Sequence, residues 1–396
     1  MEKILRFIEK LTPKPIYRFL QPFYHQTLAY TAAFLYGFPS RKLKVIGVTG
    51  TNGKSTVVHM ITSILEEVGE KVVSVSSLRL KVGKNEIKDA LKRTMPGRFV
   101  IQKLLRRGVD GGCKYAVVEV TSQGIEQFRH KGINFLMAVL TNVTPEHIES
   151  HGTFQKYREA KTKLFYKTKI HVLNGDDKEN LNHFSDISSQ KRIIYSKNDL
   201  PKDLNLKLLG EFNKENAAAA FAVARELGIS EEKIKSALEK IESIPGRLEF
   251  VQKKPFAVVV DYAHTPDALR KVYQTLSPRL ICVFGAAGGG RDKWKRPEMG
   301  KIASEFCDEI ILTNEDPYDE NPESILKDIE KGINPCPGLK KILDRRQAIN
   351  KALKSASSGD TVIITGKGAE QWIMGPNSQK IPWDDRNVVK EELSKL

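Results

Sequence analysis

The 396-residue sequence predicts an α/β fold: a central P-loop nucleotide-binding domain of mostly parallel sheet, a C-terminal Rossmann-like α/β domain, and a short helical N-terminal segment. Three observations carry this. From Lys44 onward, apolar strand-length runs alternate with helix-length stretches, the pattern of a parallel sheet wound with helices. The alternation breaks at Pro245-Gly246-Arg247 and then restarts. The first apolar run, KVIGVTG, ends in glycines followed by Gly53-Lys54-Ser55, where backbone N–H groups and a helix N-terminus can surround an anion.

The elements come in this order. Residues 1–40 have helical spacing, are rich in aromatics and close on the breaker Gly37-Phe38-Pro39-Ser40. They are too short for a domain and read as helices packed on the central domain. Lys3, Arg6, Lys10, Lys14 and Arg18 accompany their apolar residues, so residues 1–38 are also read as a candidate contact with a membrane surface or a partner. The central domain, 41–247, takes strands from KVIGVTG, KVVSVSS, AVVEVTS, FLMAVLTNV and IHVLNG. Its helices come from STVVHMITSILEEVG, NKENAAAAFAVARELG and SEEKIKSALEKIESI. The C-terminal domain, 248–396, takes strands from FAVVVDYA, RLICVFGAAGGG, EIILTNEDP and DTVIITGKG.

Composition narrows the function classes. Hydrophobic content of 40% and charged content of 28% are those of an ordinary globular protein. A net charge of +16 points to anionic partners without choosing among nucleotides, nucleic acid, acidic small molecules and anionic lipid. No run of about eighteen apolar residues occurs and the N-terminus lacks a signal-peptide pattern, so a cytoplasmic location is expected. Cys113, Cys282, Cys307 and Cys336 are far apart with no CxxC pair; reduced thiols are expected, with neither a zinc site nor a disulfide framework.

In the phosphate loop, Val48 stands where G-x-x-x-x-G-K-[ST] has its first glycine. The glycines fall at Gly47, Gly50 and Gly53, giving G-x-x-G-x-x-G-K-S. Gly50, Thr51, Asn52, Gly53, Lys54, Ser55 and Thr56 would line the phosphates, with Lys54 on the β/γ-phosphates and the Ser55 hydroxyl on Mg²⁺.

That spacing resembles the ATP-dependent Mur ligase superfamily, and further blocks extend the resemblance over residues 44–396. In chain order they are GVTGTNGKST, EVTSQGIEQFR, TNVTPEHIESHGTFQKYREAKTKLF, GEFNKENAAAA, IPGRLEF, VVDYAHTPDAL, VFGAAGGGRDKWKRPEMG, NEDP and TGKGAEQW. They look like blocks of MurE-like ligases, which join an amino acid to a muramoyl peptide in peptidoglycan precursor synthesis. The resemblance implies ATP and Mg²⁺ as cofactors. It implies Ser55 and Glu119 as ligands of the nucleotide Mg²⁺ and His147 as a ligand of a second. It further implies a carbamylated Lys161 that faces the metal. Together Lys54, Glu119, His147 and Lys161 form the implied catalytic set. It also places Asn216 at the adenine, Arg247 at the nucleotide from the hinge, Asp261 as a ribose or hinge contact and His264 near the phosphates. Asn213 and Asn216 could equally be N-caps. Gly288, Gly289, Gly290, Arg291, Asp292, Lys293 and Arg296 form a basic glycine-rich loop, with Arg291 toward the substrate.

For the substrates, Thr94, Ser122 and Arg129 match acceptor-binding blocks, while Gln123 replaces the usual His. Asp316 and Glu370 are expected at the incoming amino acid. Where relatives selecting diaminopimelate have D-N-P-R, this chain reads Asp316-Pro317-Tyr318 after Glu315. The arginine for a distal carboxylate is absent, so diaminopimelate is disfavoured. Only about forty residues precede the phosphate loop, so UDP recognition by a separate N-terminal domain is not expected. The resulting expectation is a monomeric ligase with small-molecule substrates: an amino acid and a muramoyl-peptide-type acceptor. The alternatives are a folylpolyglutamate- or cyanophycin-type ligase, or one acting on a lipid-linked precursor. A nucleic-acid ATPase is disfavoured because no strand-tracking groove or water-activating motif is recognisable.

Overall fold

The computed structural model describes residues 14–87, 95–276, 279–334 and 338–396, with side chains from Leu20 onward. The chain forms two compact units: Met1–Val143 with Arg158–Lys202 and Glu215–Leu238, and Thr144–Tyr157 with Asp203–Lys214 and Glu239–Leu396.

In the first unit an eight-stranded sheet comprises β1 (Lys44–Thr49), β2 (Val72–Val75), β3 (Leu80–Val82), β4 (Asn85–Glu86), β5 (Tyr115–Glu119), β6 (Phe135–Leu140), β7 (Ile170–Asn174) and β8 (Lys191–Tyr195). Their order is β4-β3-β2-β5-β1-β6-β7-β8. Strands β2, β5, β1, β6, β7 and β8 run parallel, and β3 and β4 add an antiparallel edge. Central strands covered on both faces should be apolar throughout, and β5 is buried at every position. The chain leaves β1 for one side of the sheet and later crosses to β6 on the other. The loop after β1 therefore opens where the strand order reverses, the place α/β sheets keep for ligands. Register pairs Glu119, the last residue of β5, with Val48 of β1, bringing that carboxylate to the mouth of the loop.

Ahead of β1, the helix Lys14–Leu35 ends where the breaker predicts. Gly37 and Phe38 take left-handed φ of 68° and 47°, and a short 3-10 turn at Pro39–Lys42 leads into the strand.

In the second unit a six-stranded sheet comprises β9 (Glu249–Gln252), β10 (Ala257–Val260), β11 (Leu280–Phe284), β12 (Glu309–Leu312), β13 (Leu339–Lys341) and β14 (Thr361–Ile364). The order is β13-β12-β11-β14-β10-β9, parallel except for β9. Alternate residues enter opposite layers. Val259, Cys282, Phe284, Ile310 and Ile363 pack with Leu269, Tyr273 and Met299, while Val258, Val260, Ile281, Val283 and Val362 pack with Ile349, Leu353 and Val389.

One expectation is corrected here. Cys282 of β11 and Cys307, which follows the helix Lys295–Phe306, are joined by a disulfide, with Cα atoms 6.0 Å apart. A crossover helix runs back along the sheet and returns the chain beside the strand it left, so 25 residues of separation conceal a close pair. Cys113 is buried and free, and Cys336 lies outside the described residues.

Candidate active site

The first unit assembles the phosphate loop and its surroundings. Gly50 (φ 150°) and Gly53 (φ 81°) are required by both conformation and space. A Cβ on Gly50 would lie 1.9 Å from Thr141 Oγ1, and one on Gly53 would lie 2.2 Å from Asn216 Oδ1. The loop is braced from the end of β6: Thr51 N donates to Asn142 O (2.8 Å), Asn52 N donates to Asn142 Oδ1 (2.9 Å), and Thr141 Oγ1 donates to Asn52 O (2.6 Å). The helix Lys54–Glu67 begins at the loop's end, with Ser55 and Thr56 buried in its first turn.

Around that helix start, Ser55 Oγ donates to Glu119 Oε2 at 2.8 Å and lies 2.6 Å from Ser77 Oγ. Ser77 N donates to the same Glu119 oxygen (3.0 Å). Lys54 Nζ donates to Thr51 O (2.8 Å) and stands 3.9 Å from Glu119 Oε1. Lys161, 1% exposed on the helix Phe154–Thr162, donates from Nζ to Gly50 O at 2.8 Å. Burial, and then the nearby Lys54 cation, hold its ammonium well below the usual lysine range, with Glu119 opposing. Lys54, Ser55, Glu119 and Lys161 thus meet at one end of the loop.

Magnesium fits this set. Mg²⁺ takes hard oxygen donors, commonly one or two carboxylates completed by water and substrate phosphate. Ser55 Oγ and the Glu119 carboxylate already adjoin beside a phosphate cradle. The described residues gather no cluster of three or more His, Cys, Asp and Glu, and a cage of that kind is not what this ion needs.

Asn216 lies inside the helix Glu211–Glu226 and packs on the loop through Gly53, so it does not cap the helix; Asn213 Nδ2 donates back to Leu209 O (2.7 Å). Of the residues expected at the acceptor, Arg129 donates to the carbonyl of Met95 and to Gln127 Oε1, and Ser122 opens the short helix Ser122–Glu126. Met95 also lies against Gly124. Thr94 lies outside the described residues.

The second unit holds the remaining candidates. His147, with left-handed φ of 56°, opens the turn Ile148–His151, and its ring lies 5.8 Å from that of Tyr157. That turn is fastened to the glycine-rich loop: Asp292 accepts from Ile148 N (3.1 Å) and Glu149 N (2.8 Å), and Lys295 Nζ binds Glu146 Oε1 (2.8 Å) and His264 O (3.0 Å). Arg296, fully buried, is engaged by Glu320 (2.7 and 2.9 Å) and Asp328 (3.1 Å). The loop's basic character is therefore largely internal. Arg291 is raised by Tyr318, Tyr262 and Glu146 against the cost of burial. Asp261 accepts from Leu248 N (2.7 Å) and Ala263 N (2.6 Å), so its buried carboxylate holds the Gly246–Leu248 turn; burial raises its pKa, with Arg247 opposing. Arg247 stacks 4.3 Å over the Tyr262 ring. His264 is pushed down to about 3 by burial and then by Lys295. Lys367 Nζ joins Asp316 Oδ1 (2.9 Å) to Glu370 Oε2 (2.5 Å), and Tyr262 Oη donates to Glu370 Oε1 (3.0 Å).

Sequence reasoning missed Ser77, Thr141 and Asn142, whose signal was a polar residue just past the end of an apolar strand. It also missed Lys295 and Glu146, which no spacing rule pairs.

Residues 48–224 match the family model of the Mur ligase middle domain, and residues 246–368 that of the Mur ligase, glutamate ligase domain. The UDP-N-acetylmuramoyl-L-alanyl-D-glutamate--2,6-diaminopimelate ligase of Aquifex aeolicus is 37% identical over 396 residues, covering 93% of this chain and 81% of the relative. A solved structure of a ligase with that same name superposes with a TM-score of 0.59 at 30% identity, over 89% of this chain and 78% of the other. The folylpolyglutamate synthase of Mycobacterium tuberculosis, complexed with ADP and AMPPCP, superposes with a TM-score of 0.69 at 18% identity, over 86% of this chain and 92% of the other, a likeness of fold.

Proposed function

The chain belongs to the Mur ligase family, and on that premise we propose that it uses ATP to join an amino acid to a carboxylate of a muramoyl-peptide-type acceptor. The observation that carries this reading is the meeting of Lys54, Ser55, Glu119 and buried Lys161 at the end of a glycine-braced loop. In the proposed reaction the acceptor carboxylate attacks the γ-phosphorus of ATP, releasing ADP. The amine then attacks the resulting acyl phosphate, expelling phosphate and forming the amide. Lys54 and the loop N–H groups neutralise and orient the transferring phosphoryl group, work that is mostly positioning and electrostatics. Ser55 and Glu119 would hold Mg²⁺, which when bound supplies further charge neutralisation on the phosphate oxygens. Lys161, held toward its neutral amine, is suited to carbamylation, which would turn it into an anionic group.

Asn216 is assigned to the nucleotide through its place against Gly53, and Ser122 and Arg129 to the acceptor. His147, Arg247, Asp261, His264 and Arg291 are assigned to nucleotide, metal and substrate as the family resemblance implies. Asp316 and Glu370, joined by Lys367, are assigned to the ammonium of the incoming amino acid. Tyr318 in place of an arginine favours an amino acid without a second carboxylate. The enzyme is proposed to act as a cytoplasmic monomer. Ligases named for a muramoyl peptide share 30–37% of their residues with this chain and the folylpolyglutamate synthase shares 18%, which favours the muramoyl acceptor class over folates.

The test is phosphate release with ATP and Mg²⁺, crossing an amino-acid panel with UDP-linked and lipid-linked muramoyl dipeptide and with folate. Turnover with a muramoyl acceptor is expected, and Lys54→Ala should lower it at least about 100-fold. Turnover with folate alone, or full activity in Lys54→Ala, would refute the reading.

A further inference from the structure

The helix Lys14–Leu35 faces the opposite way from a helix serving only its own unit. Its small side points inward: Ala29, Ala32 and Ala33 are fully buried, and a Cβ on Gly132 would lie 2.8 Å from Ala33 Cβ and 3.1 Å from Ala29 O. His25 Nδ1, 3.0 Å from Arg98 Nη2, adds a polar tie to the helix Arg98–Asp110. The large apolar side chains point outward instead. Leu20 is 51% exposed, Tyr30 41%, Phe34 71% and Leu35 65%. Positions 20, 23, 27, 30 and 34 recur at intervals of three and four, so Leu20, Phe23, Tyr30 and Phe34 share one side of the helix, with Thr27 between Phe23 and Tyr30. Amphipathic helices normally bury the large apolar side, and single exposed apolar residues are ordinary; four on one side of one helix are not.

The charge along this stretch of sequence has one sign, and Asp110 of the neighbouring helix lies within electrostatic reach of Lys42. Between Glu9 and Glu66 the sequence has no acidic residue, while Lys14 and Arg18 precede Leu20 in the sequence and Arg41 and Lys42 follow Leu35. Arg41 and Lys42 are exposed, and the Arg41 guanidinium lies 4.5 Å from the Phe38 ring centre, itself 6.5 Å from that of Phe34. The cationic end is thus continuous with the aromatic side.

We propose that this face is a docking surface for an anionic lipid bilayer. The helix lies in the plane of the interface, the Leu20–Leu35 stripe enters the boundary between headgroups and acyl chains, and Arg41 and Lys42 meet lipid phosphates. Tyrosine suits that boundary, where its hydroxyl stays wet and its ring is apolar, and phenylalanine and leucine enter the apolar side. Pairing with a second copy would set like charges against each other. Among the described residues no helix is long and apolar enough to cross a membrane, so the contact is peripheral. The proposal does not depend on which amide the enzyme makes.

Co-sedimentation of the full chain with phosphatidylcholine vesicles, with and without phosphatidylglycerol, tests it. Binding to the anionic vesicles, weakened by salt, is expected. A Leu20→Ser/Tyr30→Ser/Phe34→Ser variant should partition at least about tenfold less. An Arg41→Gln/Lys42→Gln variant, which leaves the apolar side intact, should lose the preference for anionic lipid, and circular dichroism of both variants verifies folding. Binding by the intact chain to neither vesicle, or equal binding by all three proteins, would overturn the proposal. So would light scattering that shows a dimer dissolved by the serine variant, which would assign the face to a second copy.

Discussion

At the scale of single residues, Lys161 is the most informative side chain. A buried lysine is ordinarily costly unless an anion compensates it; its Nζ donates to Gly50 O, and burial and then Lys54 outweigh the opposing charge of Glu119. These surroundings favour the neutral amine, the form that attacks CO₂: an N–C bond forms, a proton leaves, and an anion replaces the neutral amine. Lys161→Arg places a permanent positive charge there and blocks this chemistry, so turnover should fall at least about 100-fold. The wild type should lose activity in CO₂-depleted buffer, regain it with bicarbonate, and show a carbamate carbon signal with ¹³C-bicarbonate. An unaltered rate in Lys161→Arg would remove the carbamate from the mechanism. Lys54 and Ser55 are legible in the sequence because a phosphate loop constrains contiguous residues. Lys161 is visible only through a block resemblance, since burial has no signature in an exposed-looking helix such as FQKYREAKT. Ser77 and Asn142 carry only the signal of a polar residue just past an apolar strand: they come from two other strand ends, and the strand order puts them beside the loop.

At the scale of elements, legibility tracks burial. Strands β1, β5, β6 and β7 are apolar through most of their length and are evident from the sequence, as are β10, β11, β12 and β14. Those that escape it are short, lie at sheet edges or are broken by charge: β4 is Asn85–Glu86, and β8 begins Lys191-Arg192. The C-terminal helices show how an element can be held by a feature that no periodicity reveals. Arg345 begins the helix Arg345–Ser355, an unfavourable place for a cation beside the positive end of the dipole. Asp385, at the start of the helix Asp385–Leu393, compensates with two bonds, to Nε at 2.8 Å and to Nη2 at 2.7 Å; both residues are buried. Arg345 also donates to Thr365 O (2.8 Å), and Trp383 Nε1 donates to Asp385 (2.8 Å). Removing one partner of a buried pair leaves an uncompensated charge, so Asp385→Ala should destabilise the second unit by about 3–5 kcal/mol. Denaturant unfolding followed by tryptophan fluorescence measures this, and a loss below about 1 kcal/mol would mean the pair is not what docks the helix.

At the scale of the whole molecule, the two units should respond to acid differently. His59 and His130 of the first unit are held down to about 4 and about 3, chiefly by burial. A histidine with a depressed folded pKa stabilises above its unfolded value near 6.5, and that stability is lost as pH falls toward the folded value. One pH unit below 6.5, each such group has withdrawn about 1.4 kcal/mol, so the first unit loses about 3 kcal/mol at pH 5.5. The second unit has His264, which withdraws a similar amount, but it also has Glu315. Burial, and then Asp316, raise Glu315 to about 7, and its Oε2 has no hydrogen-bond partner. A carboxyl with a raised folded pKa binds its proton more tightly in the fold, so stability rises as pH falls from about 7 toward 4.5. At pH 5.5 this restores about 2 kcal/mol, offsetting His264. Burial likewise raises Asp261 and Glu146, which act in the same direction. Against a typical stability of about 5–15 kcal/mol, the first unit should weaken markedly while the second holds. The difference is measurable because Trp294, Trp372 and Trp383, all three tryptophans of the chain, lie in the second unit. On titration from pH 7.5 toward 5, far-ultraviolet circular dichroism should decline before tryptophan emission shifts to the red. Glu315→Gln should remove the compensation and bring the two transitions closer together. Coincident transitions in the wild type, or a tryptophan shift that comes first, would show that these buried groups do not set the acid stability of the two units.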